Sequence, residues 1–169
     1  MTIKTSVLEI TKTQQLWVPS ICPEKKHIAD ATAENIERAN HRIQLLRTYL
    51  HTRGYGAIAL PQVGINIRCL LAGKLWKGGT TETLLMLNPS YEGISDSEIV
   101  FCAEKCMNVG PLPVGIPRYT KCKVSFTTYV GAKAHRILIG PDALSMQHVI
   151  DHANGTYWGV PATNERSIA

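Results

Sequence analysis

The chain has 169 residues, 44% hydrophobic and 18% charged, which suits one globular domain, 1–169, around one core. Its net charge is +5 with lysines and arginines scattered, so no nucleic-acid surface is marked and an anionic or carboxylate-bearing ligand fits as well. No stretch approaches the roughly 18 apolar residues of a membrane span, and the first residues lack an apolar signal core; the expectation is a soluble, cytoplasmic protein with neither a membrane nor a nucleic acid as partner.

Residues 1–31 carry prolines and cysteines in irregular order, with a short strand candidate at Leu16-Trp17-Val18. They read as an arm or loop laid on the core. A helix follows over 32–52. Thr32 can cap it, and Ile36, Ala39, Ile43, Leu46 and Leu50 recur at helical spacing as one apolar stripe. Its charges run acidic early and basic late, as the helix dipole prefers. The next run, Ala57 to Gly64, is apolar and small except for Gln62. A buried amide must find partners, so Gln62 either ties a turn or faces a ligand.

Strands are expected at 66–72, at 82–87 ending on Asn88-Pro89, at 98–102, over 118–130 and at 135–139. A turn is expected at Lys77-Gly78-Gly79. Cys122, Val124, Phe126 and Thr128 alternate as a half-buried strand should. The tail after Trp158 is short and turn-rich.

Gly140-Pro141-Asp142 reads as a helix start and Gly155 as its left-handed stop, which gives a helix over 141–153. Leu144, His148, Ile150 and Ala153 are expected on its core side. His148 and His152 then stand one turn apart on one face, so each can offer a ring nitrogen to one metal ion. Zinc proteases share this spacing, with a glutamate base directly after the first histidine. Here that position is Val149. The alternative is two idle, hydrogen-bonded histidines on a half-exposed helix.

Five cysteines, Cys22, Cys69, Cys102, Cys106 and Cys122, are an odd number that argues for reduced, mostly buried thiols. One of them can supply the further donor that two histidines need.

Three segments fall into order: Gly56-Ala57-Ile58-Ala59-Leu60-Pro61-Gln62-Val63-Gly64, Glu104-Lys105-Cys106-Met107-Asn108, and Gln147-His148-Val149-Ile150-Asp151-His152. Together they resemble the peptide deformylase family, whose motifs read G-x-G-L-A-A-x-Q, E-G-C-L-S and Q-H-E-x-D-H. Ile116-Pro117-Arg118 also looks like the family's V-P-R, with Arg118 placed 14 residues after Glu104. The resemblance implies an α+β fold, a mixed, largely antiparallel sheet around one central metal-bearing helix. It implies one divalent ion, iron(II) first with zinc or nickel able to substitute, held by Cys106, His148 and His152. It implies that the Gln62 amide and the Met107 backbone N–H steady a developing oxyanion, that Ala57, Ile58, Leu60, Lys105 and Asn108 line the substrate, and that Glu104 and Arg118 form a supporting pair with Asp151 as a partner for a ligand histidine.

The same resemblance exposes the departures. The family's catalytic glutamate corresponds to Val149, which moves no proton. Ala57 and Lys105 replace glycines, Leu60 an alanine, Met107 a leucine and Asn108 a serine, and Ala153 stands where leucine is usual. The three expected ligands and Gln62 remain. Three readings follow: a redirected metal hydrolase of a formamide or related amide, a metal enzyme for different small-molecule chemistry, or a non-catalytic module holding a formylated peptide. A monomer or a homodimer fits each of them.

Overall fold

A computed structural model of the chain describes residues 23, 25–53, 56–73, 83–106, 108, 110–111 and 115–156. The expected strand at 16–18, the turn at 77–79 and the tail lie outside the described residues, as do Cys22 and Met107.

Helix α1 spans Ala33–Arg53. Its start is fixed reciprocally: the Asn35 N–H donates to the Thr32 hydroxyl at 3.2 Å and the Thr32 N–H to the Asn35 side-chain oxygen at 2.8 Å, which satisfies two otherwise orphaned groups. All five stripe residues are buried and pack against Ile58, Leu60, Ile67, Cys69, Leu71 and Leu85 in one cluster.

Among the described residues, six strands form the main sheet. β1 (Ala29–Asp30) runs parallel to β3 (Ile67–Ala72), and β3 pairs antiparallel with β2 (Ala57–Ala59) and β4 (Leu84–Gly93). After β5 (Ile99–Cys102), β6 (Lys105–Cys106), β7 (Gly110–Pro111) and β8 (Ile116–Tyr119) come β9 (Lys121–Thr127) and β10 (Lys133–Ile139). β9 pairs antiparallel with β4 on one side and β10 on the other. β5 pairs with β8, and β6 with β7, as separate two-stranded sheets. The result is the α+β, mainly antiparallel architecture that the family resemblance implies.

α2 (Pro141–Ala153) covers the sheet face opposite α1. Cys69 and Leu71 of β3 join the α1 cluster while Leu70 and Ala72 join the α2 cluster. That is why β3 reads as a continuous apolar run rather than an alternating one: both faces are covered. β9 meets only α2, so Cys122, Val124 and Phe126 are buried and alternate with half-buried polar neighbours.

Three expectations need correction. β4 does not stop at Asn88-Pro89 but continues to Gly93 through a register shift. Asn88 adopts φ +50 there, and its side chain exchanges hydrogen bonds with the Ala31 backbone at 2.7 and 2.9 Å. A bulge thus accommodates a proline that a regular ladder would reject. The expected strand over 118–130 is two, broken at Thr120, because β8 leaves the main sheet to pair with β5. The β6–β7 hairpin carries no sequence signal. Finally, the buried residues of α2 are Ala143, Met146, Gln147, Val149, Ile150, His152 and Ala153, whereas Leu144 and His148 are half-buried.

α2 ends as expected at a left-handed glycine. The Gly155 N–H reaches the His152 carbonyl at 3.2 Å and the Thr156 N–H the Asp151 carbonyl at 2.8 Å, a Schellman arrangement. Gly155 has φ +66, and a Cβ there would meet the Lys25 backbone nitrogen at 2.5 Å. Gly155→Ala is therefore expected to lower stability by at least about 1–2 kcal/mol, read from urea midpoints. An unchanged midpoint would mean that this helix end relaxes freely.

Among the described residues, no helix is long and apolar enough to cross a membrane.

Candidate metal centre

Proline at the first helical position and the terminal Schellman turn hold α2 rigid between residues 141 and 153. His148 and His152 project from it one turn apart, and their Nε2 atoms approach to 3.2 Å. The β6–β7 hairpin brings Cys106 onto the same point, with its sulfur 3.1 Å from His152 Nε2. One donor atom from each of the three residues lies within 4.8 Å of the others. A tetrahedral ion with bonds of roughly 2.0–2.3 Å asks for donors about 3.3–3.6 Å apart, so the Cys106–His152 and His148–His152 pairs need to open by only a few tenths of an ångström to admit one. Two imidazoles and a thiol also form the mixed donor set that first-row divalent ions accept. The residues fit a metal.

The partner on the far side of the ring sets which nitrogen of His148 is free for that role. Its Nδ1 lies 2.6 Å from Glu104, which leaves the Nε2 lone pair for an ion. Glu104 is itself gripped by Arg118, with Nε to Oε1 at 2.7 Å and Nη2 to Oε2 at 3.1 Å. Arg118, only 2% exposed, donates onward to Asp151 at 2.5 Å. Asp151 also accepts from the Tyr91 hydroxyl at 3.0 Å. Thus Glu104 meets the histidine, while Asp151 meets Arg118 and Tyr91.

The charges follow from this chain. Burial disfavours the Glu104 carboxylate, but the His148 ring and Arg118 outweigh it and hold its pKa down to about 2. Burial likewise opposes a charged His148, but Cys106 and Glu104 outweigh it and lift its pKa to about 9. Burial, reinforced by His148, pushes His152 down to about 3, so this ring is neutral at pH 7 and able to ligate. Burial raises Asp151 despite Arg118.

Arg118→Met would leave the mostly buried Glu104 and Asp151 carboxylates without their shared cation. Stability should fall by about 3–5 kcal/mol in urea unfolding. Arg118→Lys should recover little, because one ammonium cannot fork between both acids. Near-wild-type stability of the Met variant would refute this account of the pair.

Gln62 does tie a turn. Its Oε1 accepts from the Ala59 N–H at 3.0 Å and its Nε2 donates to Asn108 Oδ1 at 3.0 Å. The Asn108 N–H in turn donates to the Cys106 sulfur at 3.4 Å, so Gln62, Asn108 and Cys106 form one buried chain.

A cavity of about 710 Å³ opens beside the donors, with Ala57, Cys102, Leu144, Ser145, His148 and Val149 in its wall. Ile58 and Leu60 do not reach it. Ile58 packs in the α1 cluster because neighbouring residues of a strand face opposite ways, Leu60 of the 3-10 turn Leu60–Val63 packs in the same cluster, and only Gly56 and Ala57 of that segment line the cavity. Asn108 is buried against Gln62 rather than in the cavity wall, and the Lys105 side chain lies outside the described residues.

Sequence reasoning missed two supporting residues. Gln147 is buried and clamps the β8 edge: its Oε1 accepts from the Tyr119 N–H at 2.9 Å and its Nε2 donates to the Tyr119 carbonyl at 2.7 Å. A glutamine beside the first histidine was a readable signal, since a buried amide needs partners. Tyr91 has no local signal, for it sits 60 residues from its partner Asp151.

The polypeptide deformylase family model matches residues 18–164. A peptide deformylase of Parasynechococcus marenigrum is 27% identical over 143 residues, 85% of this chain and 69% of the relative. The fold is also that of solved structures. A class I type b peptide deformylase of Acinetobacter baumannii, bound to Met-Ala-Ser, superposes with a TM-score of 0.63 at 21% identity, over 85% of this chain and 96% of the other. Peptide deformylase 1B of Arabidopsis thaliana, in complex with an inhibitor, gives 0.65 at 18% identity, over 86% and 78%.

Proposed function

Because the chain belongs to the polypeptide deformylase family, we propose that it is a divergent metal-dependent hydrolase of a formamide or related amide. Cys106, His148 and His152 hold its single divalent ion, iron(II) ahead of zinc or nickel, and residues 1–169 act as one domain. The observation that carries the reading is the approach of a thiol sulfur and two Nε2 atoms to 3.1 and 3.2 Å beside a cavity of about 710 Å³.

When bound, the ion supplies the Lewis acidity that polarises a carbonyl and makes water more acidic. The chain's own residues do the rest. Glu104 fixes the His148 ring, and Arg118 fixes Glu104. The Asn108 N–H steadies the Cys106 sulfur. One amide hydrogen of Gln62 is taken by Asn108; the second is available to an oxyanion, with the Met107 N–H as its companion. Ala57 and Lys105 border the substrate. Val149 holds the wall of the cavity and transfers no proton.

A related deformylase binds Met-Ala-Ser, so a formyl-methionyl peptide is the first substrate to test. Protein purified without oxygen should carry close to one equivalent of iron, zinc or nickel and release formate slowly and in proportion to that metal. Protein that binds no metal under any loading condition would instead be a binding module, and the proposal would fail.

A further inference from the structure

Cutting an amide and cutting an ester make different demands on a site. An amide nitrogen is far too basic to leave as its anion, so C–N cleavage needs a proton delivered to nitrogen. A phenolate or thiolate, whose conjugate acid ionises near pH 8.5–10, leaves unaided.

Among the described residues, the cavity wall offers almost nothing that can deliver that proton. Val149 is apolar, 9% exposed, and packs with Met146, Ile150 and Phe126. Glu104 borders the cavity, but both its oxygens accept from Arg118 and one also meets His148. His148 has one nitrogen on Glu104 and the other toward His152. The Ser145 hydroxyl is too weak an acid. The Cys102 thiol remains, half-buried on β5.

We propose that this chain acts on acyl substrates whose leaving group departs without a proton, formyl esters of phenols and thiols, in preference to formamides. The proposal rests on the hydrolase reading above. In the step, the oxygen of water adds to the acyl carbon, and the bond from that carbon to oxygen or sulfur breaks with its electron pair on the leaving atom. Both protons of the water pass to solvent, and nothing is oxidised or reduced. The leaving anion afterwards takes a proton from solvent according to its own pKa.

The test compares aryl formates and matching formanilides, corrected for spontaneous hydrolysis, on metal-loaded wild type, Val149→Glu and Cys102→Ser. The wild-type ratio of ester to formanilide kcat/KM should exceed that of Val149→Glu by about 10²–10⁴-fold. It should rise as the phenol becomes more acidic. A readout free of turnover is calorimetric binding to the metal-free protein. Benzyl alcohol should bind wild type at least about tenfold more tightly than benzylammonium, the equivalent of one lost favourable charge contact, and Val149→Glu should close that gap.

Equal ester-to-formanilide ratios in wild type and Val149→Glu would overturn the proposal and leave the hydrolase reading intact, as would equal binding of alcohol and ammonium. Loss of formanilide cleavage in Cys102→Ser would overturn it too, by assigning the proton to that thiol. Failure of every variant on both substrates would overturn the hydrolase reading and this proposal together.

Discussion

Val149→Glu should raise formate release from a formyl-methionyl peptide by about 10²–10⁴-fold over wild type, the usual worth of one positioned acid–base group. The geometry motivates the number. Val149 directly follows His148, and both face the same cavity. A carboxylate there would stand next to the donor set and could take a proton from water and return it to the departing amine. Among the described residues of the cavity wall, Glu104 cannot do so, since Arg118 and His148 hold both its oxygens. The change carries a cost, because Val149 belongs to the packed cluster under α2. Metal content and thermal stability must therefore be measured beside the rate. Val149→Gln, which matches the glutamate in size but moves no proton, should stay near wild type. If fully metal-loaded Val149→Glu gains nothing, the cavity no longer holds a formylated peptide, and the substitutions around Cys106 rebuilt it.

Cys106→Ala should take bound metal from near one equivalent to near zero, and formate release with it. Two imidazoles then remain, and they lack the negative donor that contributes most to holding a divalent ion. Cys122→Ala and Cys69→Ala are the controls. Both thiols lie in the packed core, where burial drives their pKa up to about 11 and about 12, so neither ionises to compete for a metal at pH 7. Elemental analysis of the three variants decides the matter. Stoichiometric metal in Cys106→Ala would remove the sulfur from the ligand set. Loss of metal in Cys122→Ala would show that core packing alone explains the effect.

How much of this was legible beforehand varies by element. α1 and α2 were readable to within a residue, because capping, proline, glycine and apolar spacing all act within a few positions of one another. The order of the three motif segments and the valine directly after His148 were equally plain in the letters. The fate of β4 was not. Asn88-Pro89 looks like a stop, and only the Ala31 backbone, 57 residues away, turns it into a bulge. The split of the strand after Arg118 depends in the same way on β5 being present to recruit β8.

The sequence by itself determined the helices and the spacing that lets two imidazoles share one point. Those properties depend on backbone geometry over a turn or two, which local side chains dictate. Only the tertiary structure decided that Glu104 rather than Asp151 meets a ring histidine, that Ile58 and Leu60 turn into the α1 core, and that Gln147 clamps the edge of β8. Each of these joins residues distant in the chain. Which buried polar group meets which is settled when whole layers pack together, since every such group must find a partner at once.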